Sequence, residues 1–369
     1  MKKFLFYFVH PAKYHLFRVT INKLMADGHQ VDIIITGRDI LEDLVKKEGW
    51  NYTKIFPNGR KIKGVHTYIS AGIFLLLTLF VLLRLTRGKR YNLMISDDLT
   101  TFVGRIRRIP TFFVTDDDLS AVPESWILMA SSSYIFAPYI CDLGKYNYKK
   151  LGYYGYKSLA HLHPNHFKPD RSLVSSIANV DEKYFFIRTV SATSTHDVGK
   201  EGLSDEVLRE IIPLLKKHGI VVLNSERKLP ADLKQFVVDF NKNDVAHYIY
   251  FSTMFISDST TMCAEAAVLG TPSLEFDDWY ADFKQYHELN GVYGLLFGYG
   301  TDEVKELKEK ISELLFMENL KDEFQKRRSR MLRDKIDVSA FLIWLVEDFP
   351  SNAKIYLANH EIQNLFKSK

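Results

Sequence analysis

The sequence predicts an α/β protein of two doubly wound domains, each with a parallel sheet, facing each other across a cleft. Three observations predict it. Short apolar runs rich in Phe, Val and Ile alternate with helical patterns, the signature of parallel strands covered on both faces. That alternation pauses on the two prolines of "HLHPNHFKPD" (His161–Asp170) and restarts with "YFFIRTV" at Tyr184–Val190. Finally, 369 residues are too many for one ordinary core and comfortable for two. In such sheets ligands are expected at the carboxyl ends of the strands.

The elements follow in order. Strands are expected at Lys3–Val9, Gln30–Thr36 and near Tyr52–Phe56, with helices at about Lys13–Ala26 and Ile40–Glu48 between them. Further strands are expected at Tyr91–Ser96, Thr111–Val114 and Tyr134–Phe136. After the junction, a helix at Asp205–His218 has acids in its first turn, Lys216, Lys217 and His218 in its last, and Gly219 just beyond, as helix-end electrostatics prefer. "GIVVLN", "MFISDS" and "GTPSLEF" read as the next strands. The expected domains are 1–163, 164–347 and a helical tail over 348–369 that packs back on the first.

Composition narrows the function classes. With 46% hydrophobic and 25% charged residues a large core is available, and a net charge of +4 gives no support to a nucleic-acid role. Cys141 and Cys263 are far apart and have no ligand partner at short spacing, which fits a reducing compartment and argues against disulfides or structural zinc. The start "MKKFLFYFVHPAK" imitates a secretory signal. Its apolar run of six residues leads into His-Pro-Ala-Lys without a cleavage site, so a buried first strand and a cytoplasmic location are expected.

One helix is apolar all round. "TYISAGIFLLLTLFVLLRL" gives seventeen uncharged residues from Thr67 to Leu83, followed by Arg84, Arg87, Lys89 and Arg90. That is the lower edge of the ~17–25 residues needed to span a bilayer. A fully buried helix is the plain reading. A true span is disfavoured because it would tear an element out from between two parallel strands. A patch at residues 67–90 lying on an anionic membrane is the third reading.

The site argument starts from "FISDSTTMCAEAAVLGTP". A strand, a turn of Ser257 to Thr261 and then a helix place free N–H groups and hydroxyls where an anion such as a diphosphate is favoured. Glu265 lies about 6 Å further along the axis, on the face of Thr261, where it can accept hydrogen bonds from the two hydroxyls of a ribose. The plain alternative is that Ser259 caps the helix and Glu265 is exposed or paired locally. The small apolar neighbours of Glu265 favour a functional role, because an unpaired carboxylate in such a helix is costly.

Four blocks together resemble one family. "HPAKYHLF" (His10–Phe17), "GYKSLAHLHPNHFKPD" (Gly155–Asp170), "RTVSATSTHDVGKEGLS" (Arg188–Ser204) and "DSTTMCAEAAVLGTP" (Asp258–Pro272) are similar to bacterial and archaeal GT-B-like proteins known as domain of unknown function 354. "KIDVSAFLIWLVEDFP" near the end extends the likeness over almost the whole chain. The last of the four blocks also resembles the nucleotide-sugar signature of UDP-GlcNAc 2-epimerase and of the glycosyltransferase that completes lipid II, although the epimerase has two glycines where this chain has Thr260 and Thr261.

The resemblance implies a GT-B fold of two Rossmann-type domains. It implies that Ser259, Thr260 and Thr261 meet the diphosphate and Glu265 the ribose. Arg188 has a planar fork suited to phosphate and opens a loop that contains Ser194 and His196. Ser225 and Glu226 of "NSER" end the next strand, and His247 stands where such enzymes hold the base. The first domain is then expected to bind the acceptor and supply the catalytic base, with His10 and His15 as imidazole candidates. Asp117, within Asp116–Asp118 of "TDDDLS", is the carboxylate candidate; for Asp97 and Asp98 the plain reading is helix capping. No metal spacing stands out, and no cofactor is expected beyond a nucleotide diphosphate sugar, UDP-sugar favoured. The implied activity is sugar transfer from a UDP- or GDP-sugar to a surface-glycan or lipid-linked acceptor. A UDP-sugar 2-epimerase, a polyol-phosphate transferase and a non-catalytic nucleotide-sugar-binding protein are the rivals.

Overall fold

The first strand is apolar on both faces because it lies in the middle of a sheet. Seven parallel strands form that sheet: β1 (Lys3–Phe8), β2 (Gln30–Thr36), β3 (Tyr52–Ile55), β4 (Leu93–Ser96), β5 (Thr111–Val114), β6 (Tyr134–Pro138) and β7 (Lys150–Tyr153). Their spatial order is β3-β2-β1-β4-β5-β6-β7. Phe4, Leu5, Phe6, Tyr7 and Phe8 are all fully buried. The chain runs outward from β1 to β3 and then returns to lay β4 on the other side of β1, so the reversal of strand order falls between β1 and β4, and in such sheets ligands are expected at the carboxyl ends there.

These features come from a computed structural model that describes residues 1–37, 40–57, 59–60, 66–175, 177–178, 182–190, 202–278 and 284–368. The chain divides into two units, Met1–His161 with Lys335–Lys369, and Leu162–Asp334.

In the first unit the Pro11–Ala26 helix starts on Pro11, whose fixed φ suits a first helical position. Its buried stripe includes Leu16, Phe17, Ile21 and Leu24, with Phe17 edge-on to Phe6 at 5.3 Å. The Val338–Glu347 helix, which sequence order assigns to the second domain, packs on this helix instead. Its Phe341, Leu342, Leu345 and Val346 are fully buried, and Asp337 caps it by accepting the Ala340 N–H at 3.0 Å. Further on, Tyr356 donates to the Gly152 carbonyl at 2.6 Å and Gln363 accepts the Tyr154 N–H at 2.7 Å. The last segment is thereby stitched to β7 and the residue after it.

The second unit holds β8 (Tyr184–Thr189), β9 (Ile220–Ser225), β10 (Met254–Ser257), β11 (Ser273–Phe276) and β12 (Leu296–Tyr299), all parallel, in the order β12-β11-β10-β8-β9. Its reversal falls between β8 and β10. The Asp205–Lys216 helix is capped by Ser204, which accepts the Val207 N–H at 3.3 Å.

The apolar Thr67–Leu85 helix is not buried all round: Ser70, Thr78, Leu82 and Thr86 face inward, whereas Ile69, Leu76 and Phe80 are exposed. Among the described residues no helix is long and apolar enough to cross a membrane.

Candidate functional site

In the second unit, candidate residues gather at the carboxyl edge of the sheet, around its reversal. Strand register sets Arg188 of β8 beside Ser257 of β10 on one side and Asn224 of β9 on the other. The Thr260–Leu269 helix starts directly after β10. Ser259 is its extended N-cap residue but makes no side-chain cap, while the Ser259 N–H is itself held by Ser257 Oγ at 3.0 Å. The capping role considered for Ser259 is therefore not what its hydroxyl does. Thr261 and Glu265 are half-buried, four residues apart on one helix face, amid the buried Cys263, Ala264 and Ala266. Gly270, with φ +72, ends the helix in a left-handed conformation.

Asp258 bridges the reversal. Its carboxylate accepts the Val190 N–H at 2.8 Å and the Leu203 N–H at 3.2 Å, so it grips both sides of the 191–201 segment. Gly202 is required there, because a Cβ would lie 2.7 Å from the Asp258 side chain. Burial outweighs these hydrogen bonds and pushes the Asp258 carboxyl up to about 7.

Other carboxyls lie under the helix start. Thr260 Oγ1 is 3.5 Å from Asp277 Oδ2, and Glu275 of β11 is fully buried with neither oxygen partnered among the described residues. Burial first, then the charge of Asp277, hold the Glu275 carboxyl well above the ordinary range. Burial thus biases Glu275 toward its neutral form, which lessens its repulsion of an anion at the helix start.

The remaining donor-side candidates have local partners. Arg188 donates through its two terminal nitrogens to Asn224 Oδ1 and Glu226 Oε1, and its buried Nε has no partner among the described residues. Ser225 Oγ accepts from Thr189 Oγ1 at 2.8 Å and donates to the Arg227 carbonyl at 2.9 Å, shaping the turn after β9. His247 accepts the Asp170 N–H on Nδ1 at 2.9 Å, with its ring 4.8 Å from Phe167. Ser194 and His196 lie outside the described residues.

In the first unit, residues after β1, β4 and β5 line the other reversal. His10 is exposed, and its Nδ1 accepts the Ala12 N–H at 3.2 Å as a helix cap. The His15 ring lies 4.7 Å from that of His161, tilted by 32°, and meets Tyr14 edge-on at 5.0 Å. The Asp117 N–H donates to Thr115 Oγ1 at 3.2 Å. Its neighbour Asp116, which the sequence does not single out, is the electrostatic centre: Lys13 Nζ donates to it at 2.9 Å and Lys157 Nζ donates to its second oxygen. Burial alone would raise Asp116, but these two ammonium groups hold it well below the usual carboxylate range. Asp97, by contrast, is raised to about 6 by burial, moderated by Lys13. Its Oδ1 is buried with no partner among the described residues. The helix after Asp97 and Asp98, Thr100–Arg107, has Leu99 as its N-cap residue without a side-chain cap; Asp98 accepts the Leu99 N–H at 2.5 Å and pairs through its other oxygen with Arg60 at 2.6 Å.

A hollow of about 500 Å³ opens at the opposite edge of this sheet, lined by Lys3, Gln30, Asp32, Tyr52 and Tyr91. Its acid is already engaged, Asp32 accepting from Tyr91 at 2.6 Å and Lys89 at 2.9 Å.

No protein-family model and no curated protein matches the chain. Solved structures match it in fold. A UDP-GlcNAc 2-epimerase from Neisseria meningitidis bound to UDP-GlcNAc superposes with a TM-score of 0.58 at 13% identity, over 90% of this chain and 99% of that one. The spinosyn rhamnosyltransferase SpnG, complexed with spinosyn aglycone, gives 0.59 at 14% identity, over 94% and 100%. MurG from Acinetobacter baumannii gives 0.58 at 12%, over 94% and 99%. At such identities the likeness shows the fold, which is GT-B-like with two Rossmann-type units.

Proposed function

We propose that this chain is a GT-B glycosyltransferase of the domain of unknown function 354 type, acting in the cytoplasm. It moves a sugar from a nucleotide diphosphate donor, UDP-sugar favoured over GDP-sugar, to a surface-glycan or lipid-linked acceptor. One observation carries the reading. At the reversal of the second sheet a ten-residue helix presents a start that Ser259 does not cap, with Glu265 one turn along on the face of Thr261. Helix-start N–H groups suit a pyrophosphate, and a carboxylate one turn on suits the paired hydroxyls of its pentose.

In this mechanism the bond from the anomeric carbon to the diphosphate breaks as the acceptor oxygen attacks. The Thr260–Leu269 helix start stabilises the charge that grows on the leaving diphosphate, and no metal is required. The acceptor proton passes to a base of the first unit. There we favour Asp97, raised to about 6 by burial, over Asp117 as the carboxylate base, with His10 and His15 as the imidazole alternatives.

Titrating UDP and GDP into the wild type and Glu265→Ala, then following nucleotide release with and without acceptor, tests the proposal. Release that depends on acceptor and donor binding that depends on Glu265 are the expected results. A 2-epimerase is the second reading, favoured by the likeness in fold to the UDP-GlcNAc-bound enzyme. Sugar interconversion with the nucleotide retained would establish it instead, and tight binding without turnover would leave a nucleotide-sugar receptor.

A further inference from the structure

The Thr67–Leu85 helix buries only part of its apolar surface: Leu79, Val81, Leu83 and Leu85 are partly buried against the core beside Leu82, and most of the rest of its large side chains stay outside. Its inward positions are Ser70, Thr78, Leu82 and Thr86, at spacings of eight, four and four, so hydroxyls face the protein. They do so without leaving polar groups unsatisfied, because Thr78 donates to the Phe74 carbonyl at 2.6 Å and Thr86 to the Leu82 carbonyl at 2.7 Å. Other large apolar side chains are displaced outward: Ile69 is 59%, Leu76 67% and Phe80 63% exposed. A contiguous apolar face of this kind marks an interaction surface.

Charge identifies the occupant. From His66 to Ser96 the sequence has no Asp or Glu, while Arg84, Arg87 and Arg90 are exposed at the end of the apolar stripe. The adjoining Thr100–Arg107 helix is fixed there by Arg107, which donates to the Leu83 carbonyl at 2.5 Å. It adds exposed Arg105, Ile106 and Arg108. A second copy would offer this stripe the same acid-free apolar and basic residues, and so no carboxylate of its own 66–96 segment to pair the exposed arginines. Anionic headgroups meet the arginines while acyl chains receive the leucines.

We infer that this helix face is a docking surface for an anionic lipid bilayer, with the helix lying in the plane of the interface. The inference does not depend on the chemistry proposed above, because vesicle binding is read separately from donor binding.

Sedimentation with phosphatidylglycerol vesicles and with phosphatidylcholine vesicles, at low salt and at about 0.5 M salt, tests it. The wild type is expected to pellet with the anionic vesicles at low salt. Leu76→Glu with Phe80→Glu, both on the exposed face, should lower the partition coefficient at least about tenfold. Arg84→Glu with Arg87→Glu should lower it by about fivefold or more per arginine and flatten the salt dependence. Circular dichroism verifies that each double variant is folded, and the arginine pair keeps the test decisive if the Leu76 and Phe80 pair is not. No binding of the wild type to anionic vesicles overturns the inference, as does unchanged binding of the folded variants. A wild-type dimer that the Leu76 and Phe80 substitutions split into monomers also overturns it, by assigning the surface to a second copy.

Discussion

Asp258 accepts the Val190 N–H at 2.8 Å and so ties the end of β10 to the end of β8 across the reversal of the second sheet. Its other oxygen takes the Leu203 N–H, and removal of the carboxylate strands two donors. Asp258→Ala is expected to cost about 2–4 kcal/mol in urea unfolding, and Asp258→Asn, which keeps one acceptor, about 1–2 kcal/mol. The pH dependence has a definite sign. A carboxyl raised to about 7 in the fold holds its proton where the unfolded chain has lost it, so stability falls as pH rises from about 4 to about 7. The lead of the wild type over Asp258→Asn should therefore be larger at about pH 5 than at about pH 7.5. A lead that grows with pH contradicts this.

The base assigned to the first unit gives a kinetic prediction. If Asp97 must be ionised, kcat/KM rises with pH through an inflection near its value of about 6. Lys13 lowers that value, so Lys13→Met should move the inflection to higher pH, and Asp97→Asn should cost at least about 10²-fold in turnover. An unshifted inflection in Lys13→Met would remove Asp97 from this role and return attention to His10 and His15.

What the sequence reveals and conceals follows from the range of the interactions. β1 and β2 are legible because burial makes them long apolar runs. The edge strands β7 ("KLGY") and β12 ("LFGY") are four residues long with a glycine, too short for periodicity to mark. Glu265 is legible because a carboxylate is out of place among alanines. The same misfit exists at Glu275 in "SLEF", but a short strand offers no helix face on which to read it. Asp258 and Asp116 lie in runs that the sequence marks, but their roles are not legible, since the partners of Asp258 lie 68 and 55 residues away and the Lys13 partner of Asp116 lies 103 away. The Thr67–Leu85 helix is apolar throughout, so only the spacing of Ser70, Thr78 and Thr86 hints at which side turns inward.

Glu265 is half-buried on the helix that follows β10, and its loss should be felt chiefly in ligand affinity. Glu265→Ala is expected to weaken UDP binding by about 10- to 100-fold, the loss of one or two charge-assisted hydrogen bonds. Calorimetric titration measures the affinity, and a melting temperature within a few degrees of wild type shows that the helix persists. Glu265→Gln, which keeps an acceptor, should fall between the two. Unchanged affinity in Glu265→Ala would remove the pentose contact and with it the basis of the donor site.

Glu275 offers a substitution expected to stabilise. Its carboxyl is fully buried, lacks a partner among the described residues and stands well above the ordinary range, through burial and then the charge of Asp277. In the unfolded chain the same group ionises near pH 4, so every step in pH above that point favours unfolding until the folded group also ionises. Glu275→Gln has nearly the same shape and no charge to lose. At about pH 8 it should be more stable than the wild type, and the gain should shrink as pH falls through about 4, where the unfolded carboxyl also takes up its proton. Urea unfolding at the two pH values measures it. A variant less stable than wild type at pH 8 would mean that the ionised carboxylate is held there by a partner, and that the ground beneath the Thr260–Leu269 helix carries the negative charge that its proposed diphosphate must avoid.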